Sequence, residues 1–324
     1  MSLLRYLIER KKFLLLFVAV YCVLLHFAYR HFWKGGDQIA VQKLSSAPGL
    51  LMSFWNNTRL FSRSGFASDN PFSESAKVEP LIAIGSGITS RKVLGVSENN
   101  IGQKFQFFNT FLPTFCNTAS LHFIYQFYLA YDRGDQVFAN QRLRDAFDRQ
   151  FHVTTTSGSC RDRGIVTYLS LVECDHSGKP AWAQNDAMME AYLDHVDYFY
   201  RVNDDTRMLT GGWTEKFVST LESYDPPRVG VVGPNHSGGN VAILTYDFVH
   251  RTHVDIFGFY YPHLFTDWWG DGWITRVYKP NRSTKVNEVH LEHTLGMGQR
   301  YRVHYEVHKH LGHQLAHDVA VVNR

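Results

Sequence analysis

NDAMMEAYLDHVDYFYRVNDDT, residues 185–206, changes period twice in 22 residues. From Asn185 to Val196 the apolar positions recur at helical spacing, with Asn185 placed as an N-cap. Tyr198-Phe199-Tyr200-Arg201-Val202 is aromatic and β-prone, which predicts a short buried strand. It runs without a linker into Asn203-Asp204-Asp205. Helix, strand and acidic turn therefore follow one another directly, and the turn lies where a strand leaves a sheet.

Working outward, residues 81–85 (LIAIG) form a short apolar run opening onto the loop 86–90. Residues 105–115 are aromatic and helix-like, with a stop expected near Pro113 and Cys116. Residues 122–131 predict a second buried strand, ending at Asp132-Arg133-Gly134-Asp135. Residues 141–151 predict a surface helix, and 165–172 a third strand. Strands alternating with helices predict an α/β domain with a mostly parallel sheet. In such sheets the ligand crevice lies beyond the carboxyl ends of the strands, so Thr89, Asp132 and the 203–205 turn belong at one edge. Further on, 229–234 predicts a strand stopped at Pro234, and 235–240 a flexible polar loop. Residues 241–246 and 248–256 follow.

Two adjacent carboxylates after a buried strand repel each other and favour a cation or strong donors beside them. Hard oxygen ligands with few accompanying protein groups suit Mg²⁺ or Mn²⁺, with phosphate oxygens completing the shell. Asp205 is the expected metal ligand and Asp204 the expected donor-substrate contact. The bland alternative is an Asx turn in which Asp204 caps the next element. A second cluster, FTDWWGDGWI at 265–274, packs three Trp and two Asp into seven residues. Trp faces stack on sugar rings, and a carboxylate can take a proton from an acceptor hydroxyl. The alternative there is a Trp-rich packing corner with Asp271 capping a helix over 272–278.

The totals bound the rest. The chain has 324 residues, 44% hydrophobic and 19% charged, enough for one large domain plus an anchor. A net charge of +3 and the lack of a Lys/Arg stripe argue against nucleic acid as a partner. Residues 13–29, FLLLFVAVYCVLLHFAY, carry one His and no full charge and have basic flanks. They predict a signal anchor, with a tail at 1–12, a lumenal stem at 30–77 and the catalytic domain at 78–324. A cleaved signal peptide and a core helix are the competing readings. A short anchor suits the Golgi or endoplasmic reticulum membrane. Of the four cysteines, Cys22 lies in this run, and no CxxC pair is present. Cys160 and Cys174 either close a disulfide or remain as partly buried thiols.

The order helix, aromatic strand, [D/N]-D-D-T resembles that of GT-A glycosyltransferases, whose acidic motif is written DxD. Trp269-Gly270-Asp271 resembles a shortened form of the Trp-Gly-Glu-Asp signature of chondroitin-synthase-type enzymes. The longer stretches 179–206, 230–258 and 260–278 are similar to the glycosyltransferase-like C-terminal domain of the growth-regulating oestrogen-receptor-binding proteins. The resemblance covers about residues 78–305. It implies a GT-A (Rossmann-like) nucleotide-sugar-binding fold and a metal-dependent transfer from a UDP-sugar to a hydroxyl of a glycan or glycoprotein, with inversion. Under it Asp271 is the general base, with Asp267 the runner-up. Asp204, Asn203, Asp132 and Thr89 serve the donor, and Asp205 holds Mn²⁺ or Mg²⁺. His293, then His290, completes the metal shell. Asn203 in place of the first Asp departs from the pattern. That departure sustains a second hypothesis, a catalytically silent carbohydrate-binding or scaffold protein. A third, a metal-dependent hydrolase using the His-rich tail, finds no HExxH spacing.

Overall fold

The computed structural model describes residues 79–294, 298 and 300–323, all within one compact unit, Lys77–Arg324. The expected tail, anchor and stem lie outside the described residues. Among the described residues no helix is long and apolar enough to cross a membrane.

The elements run in chain order as β1 (Leu81–Ile88), α1 (Ile101–Lys104), a π-helical segment (Phe107–Phe111), α2 (Leu112–Thr118), β2 (Ile124–Tyr131), α3 (Gln141–Thr155), α4 (Gly158–Asp162), β3 (Val166–Glu173), α5 (Pro180–Leu193), β4 (Tyr198–Arg201) and β5 (Thr206–Met208). There follow α6 (Trp213–Glu222), β6 (Val231–Ser237), β7 (Phe248–His250), α7 (Thr252–Phe257), α8 (Gly270–Val277), β8 (Ser283–His293), a 3₁₀ segment (Tyr305–His310) and α9 (Leu311–Val322).

All eight strands join one sheet in the order β3-β2-β1-β4-β7-β6-β8-β5. The expectation of a mostly parallel sheet needs correcting to a mixed one. Four ladders are parallel (β1–β2, β1–β4, β2–β3, β6–β8) and three antiparallel (β4–β7, β6–β7, β5–β8). The parallel block β3-β2-β1-β4 is the part the alternation of strands and helices encodes. Elsewhere β4–β5 and β6–β7 are joined without a helix, while α6 separates β5 from β6, and α7 and α8 separate β7 from β8. Strand–helix alternation therefore does not encode the direction of those ladders.

Both faces of the central strands β2, β1, β4 and β7 are buried, as strands covered by helices require. Ile82 and Ile84 of β1, with Tyr198 and Tyr200 of β4, enter an aromatic core with Phe107, Phe127, Phe147 and Trp213. Ala83 and Phe199 enter the opposite core with Met188, Tyr261, Trp273 and Ile274. The period-2 alternation puts Arg201 on the side of Phe199, facing α5 and α8 rather than the aromatic core.

Three local expectations are revised. α5 starts at Pro180 with Lys179 at the N-cap, not at Asn185. Pro180 supplies the preset φ of a first helical turn, and Asn185 is instead buried mid-helix. Its Oδ1 accepts from the backbone N–H groups of Tyr260 and Tyr261, both at 2.9 Å, and its Nδ2 donates to the Tyr261 carbonyl at 2.7 Å. Pro113 does not stop the aromatic helix. It sits in the first turn of α2, where its missing N–H is not needed. Nor does Pro234 end β6, because the strand continues to Ser237 through a bulge between Pro234 and Asn235. Pro is tolerated at a bulge since no ladder donor is required there.

The disulfide also differs from expectation. Cys160 pairs with Cys116, tying α4 to α2, while Cys174 is a buried free thiol. The 160–174 disulfide, one of the two readings left open, does not form because β3 runs between those residues and carries them to opposite ends of a strand. The buried-thiol reading holds for Cys174 alone.

Candidate active site

β1 and β2 are in register from Leu81↔Ile124 to Ile88↔Tyr131, so Thr89 and Asp132 leave the sheet side by side. β4 pairs Arg201 with Gly85 and then departs, its Val202 N–H donating to the Gly85 carbonyl at 3.0 Å. The turn 203–205 consequently rises from the same carboxyl edge. β5 follows at once and pairs antiparallel with β8, Thr206 opposite His293. That ladder brings a residue 88 positions downstream against the acidic turn. His290, three residues earlier on β8, is exposed and lies on the other face, so the alternative ligand is displaced.

These elements enclose a cleft of about 790 Å³, within the usual range for small-molecule sites. Thr89, Asp132, Asn203, Asp204, Asp205, Asp267, Asp271 and His293 all line it. Their chemical situations differ sharply.

Asp205 is buried, and its Oδ1 faces Nε2 of His293 at 3.4 Å without a formed hydrogen bond. Burial pushes its carboxyl up, but His293 and Arg300 outweigh burial and lower it, so it is held ionised. Asn203 Nδ2 lies 3.4 Å from the same His293 nitrogen. Asn203, Asp205 and His293 thus form one oxygen- and nitrogen-bearing cluster with an orphaned carboxylate oxygen at its centre. Such an atom fits a hard divalent cation.

Asp204 is committed elsewhere. Arg300 grips it with both guanidinium arms, Nη1 to Oδ2 at 2.8 Å and Nη2 to Oδ1 at 2.5 Å. With its side chain 4% exposed, Asp204 holds an arginine in the cleft and engages both of its oxygens in doing so. Burial works against the Arg300 charge, and Asp204 and Asp205 more than restore it.

Thr89 donates to Asp135 at 3.1 Å. Asp135 also accepts from Ser90 N and Oγ and from the N–H groups of Val137 and Phe138. Thr89 is therefore part of the buried clasp that fixes the loops after β1 and β2. Asp132 Oδ2 accepts from Arg91 Nη2 and Gly178 N, both at 2.9 Å, and braces the loop before α5.

The two acidic residues of the Trp cluster separate clearly. Asp267, its side chain 2% exposed, is bound to His304 Nδ1 at 2.6 Å, Trp268 N at 2.7 Å and Thr266 Oγ1 at 3.0 Å. Asp271, in the first turn of α8, accepts only Gly272 N at 2.8 Å and Thr245 Oγ1 at 3.4 Å. Asp271 is the carboxylate with capacity to spare. Trp269 adopts a positive φ of 81° ahead of it, an uncommon conformation for a bulky residue. Gly270 is required by a close approach, since a Cβ there would lie 2.9 Å from the Tyr261 ring. Trp268 (43% exposed) and Tyr305 (64% exposed) form an aromatic rim, with ring centroids 5.7 Å apart.

Two cleft residues escaped sequence reasoning. Arg201 donates to the Thr245 carbonyl, and its Nε is buried without a partner. It interacts electrostatically with Tyr261, Asp247 and Asp271, which together overcome burial and raise it further. Asp247 itself is fully buried and accepts from the hydroxyls of Tyr260 and Tyr261. A charged residue closing an aromatic strand was a visible signal for Arg201. Arg300 lies in a segment without pattern and offered none.

No family model matches this chain, and no curated protein matches it. Among solved structures it is similar to residues 1–349 of S. aureus TarS in complex with UDP. The identity is 12% and the TM-score 0.46, over 73% of this chain and 64% of that one. For TarS 1–349 in complex with UDP-GlcNAc the identity is 12% and the TM-score 0.44, over 75% and 70% of the two chains. For S. aureus TarS without a named ligand the values are 9% and 0.44, covering 74% of this chain and 39% of that one. Likeness at this level leaves the reading of the cleft to its own residues.

Proposed function

We propose that this chain is a glycosyltransferase that moves a sugar from a nucleotide sugar, a UDP-sugar in the first instance, to a hydroxyl of a glycan or glycoprotein. One observation carries the reading. A single cleft at the carboxyl edge of the parallel strands holds an ionised Asp205 with an orphaned oxygen, two arginines, and an under-committed Asp271 beside an aromatic rim.

In this reading Asn203, Asp205 and His293 hold Mn²⁺ or Mg²⁺. When bound, that ion neutralises charge on the donor diphosphate. Arg201 and Arg300 add fixed positive charge on the same side, preorganised by Thr245 and Asp204, where the leaving group develops its negative charge. Asp204 thus serves the donor indirectly, and Asp132 and Thr89 shape the wall against which the nucleoside rests. Trp268 and Tyr305 stack on the acceptor. Asp271 takes the proton from its hydroxyl, and Asp267 fixes the Trp268 turn. Direct displacement with inversion needs one base and no carboxylate nucleophile.

The disulfide Cys116–Cys160 supports a lumenal setting, since such bonds persist in oxidising compartments. Together with the apolar run at 13–29 it favours a Golgi or endoplasmic reticulum protein anchored by a single N-terminal helix.

The Arg300–Asp204 pair favours one other reading, a binding or scaffold protein whose acidic turn is neutralised internally. Hydrolysis of a panel of UDP- and GDP-sugars with and without Mn²⁺ separates the two. Turnover of at least one donor, lost in Asp205→Ala, is expected. No turnover of any donor by the wild type, with donor binding retained, establishes the scaffold reading instead.

A further inference from the structure

Behind the wall of the cleft, Cys174, His176 and Asp186 bring one ligand atom each to within 4.8 Å of one another. Among the described residues no other group of three such side chains is so close. Cys174 is fully buried and follows β3 directly, its N–H donating to the Tyr131 carbonyl at 2.9 Å. The His176 side chain is 9% exposed, and its Nε2 lies 3.0 Å from Asp186 Oδ2. Its Nδ1 is buried with no hydrogen-bond partner. Whichever nitrogen carries the proton, the protein leaves one polar atom of this ring unsatisfied, a state buried imidazoles seldom keep. Asp186 is on α5, a turn and a half into the helix, with its side chain 35% exposed.

We propose that Cys174, His176 and Asp186 form a binding site for a zinc-class cation, separate from the hard-cation cluster at Asp205. Thiolate, imidazole and carboxylate together suit a borderline-soft ion, whereas the hard cations Mg²⁺, Mn²⁺ and Ca²⁺ are poorly matched to a thiolate. The three atoms need close only slightly to reach bonds of about 2.0–2.3 Å. The exposed side of Asp186 leaves a fourth position open to water. Binding is balanced by proton release: the Cys174 thiol gives its proton to solvent as the sulfur–metal bond forms. The role follows from position. Residues 174–178 form the turn whose Ser177 and Gly178 donate to Asp132, and Gly178 lines the cleft. A cation there fixes that turn to α5 and holds the donor wall in place without touching the reacting atoms.

The test uses the full chain, purified, stripped with chelator and reloaded. Bound zinc is measured by elemental analysis, and Co²⁺ serves as a spectroscopic probe. The wild type should retain about one equivalent of zinc and show a sulfur-to-cobalt charge-transfer band. Cys174→Ser should lose both. Cys22→Ser, which removes the other cysteine outside the Cys116–Cys160 pair, should lose neither, and Asp205→Ala should keep the band. A wild type that holds no zinc and shows no band overturns the proposal, as does a Cys174→Ser protein with the wild-type stoichiometry and spectrum. Should Cys174→Ser fail to fold, Asp186→Asn at the helix surface decides. It should weaken zinc affinity about tenfold or more, and unchanged affinity overturns the site.

Discussion

Asp271 and Asp267 lie four residues apart in the same Trp-rich turn, yet their hydrogen bonds leave them unequally free to take part in the proposed transfer. A general base must keep lone pairs available for an incoming proton. Asp267 spends its own on His304, Trp268 and Thr266, whereas Asp271 holds only Gly272 N and a long contact to Thr245. Asp271→Asn should therefore lower transfer about 10²–10⁴-fold while donor affinity stays within twofold, read by kcat and by donor titration. Unchanged transfer moves the base elsewhere. The Arg300–Asp204 pair makes a second prediction at this scale. Removing one partner of a buried pair strands the other charge, at a cost of about 3–5 kcal/mol. Arg300→Met alone should lower the melting temperature clearly, and Asp204→Asn added to it should recover part of the loss. Strict additivity in that double-mutant cycle would mean the two side chains do not interact.

β6 and β8 are where an element's own sequence says least about its partner. Gly233 in β6 is closed in by backbone first: a Cβ there would meet the Tyr246 carbonyl oxygen at 2.7 Å, with Leu244 Cδ2 next at 3.1 Å. A carbonyl cannot rotate away as a methionine end can. Gly233→Ala should thus cost about 1–3 kcal/mol by overpacking, measured as a shift in the denaturant midpoint. Gly85→Ala meets only the flexible tip of Met188 and should cost less. The link between α2 and α4 is covalent. Opening Cys116–Cys160, 44 residues apart, should destabilise the domain by about 4 kcal/mol on a chain-entropy account. A Cys116→Ser, Cys160→Ser double variant that melts with the wild type would contradict this.

At the scale of the whole molecule, buried titratable groups set a pH dependence. His253 is fully buried in its neutral form, between the Tyr278 hydroxyl and the Tyr260 carbonyl, both at 2.8 Å. Burial pulls it down to about 4, and burial followed by Arg228 does the same for His250. Groups with a depressed folded-state pKa contribute stability that is complete above the unfolded value near 6.5 and is lost as pH falls toward 4. Asp205, also lowered, acts in the same direction at lower pH. Asp247 opposes them. Burial raises it to about 6, so its own contribution improves on acidification from 6 to 4. Two histidines against one carboxyl leave a net loss of roughly 2 kcal/mol between pH 7 and pH 5. The melting temperature should fall over that interval, and a flat or rising profile would contradict the balance.

Residues 185–206 by themselves determined that a helix, a buried aromatic strand and an acidic turn follow one another, and that the turn opens at a sheet edge. Those are local properties, written in periodicity and in the placement of charge at the end of an apolar run. Thr89, Asp132 and the 203–205 turn were legible together for the same reason, because parallel strands in register end together. Tertiary structure decided the rest. The β5–β8 ladder set His293, and not His290, against the acidic turn, and strand register cannot be read from segments as far apart in sequence as Thr206 and His293. The partner of Cys160, the grip of Arg300 on Asp204 and the placing of Arg201 against Asp271 depend on long-range contacts that leave no periodic trace. Asn185 is the sharpest case. Its residue type favours a helix cap, but Pro180 already begins the helix, and burial made the same amide the clamp for the Tyr260–Tyr261 backbone.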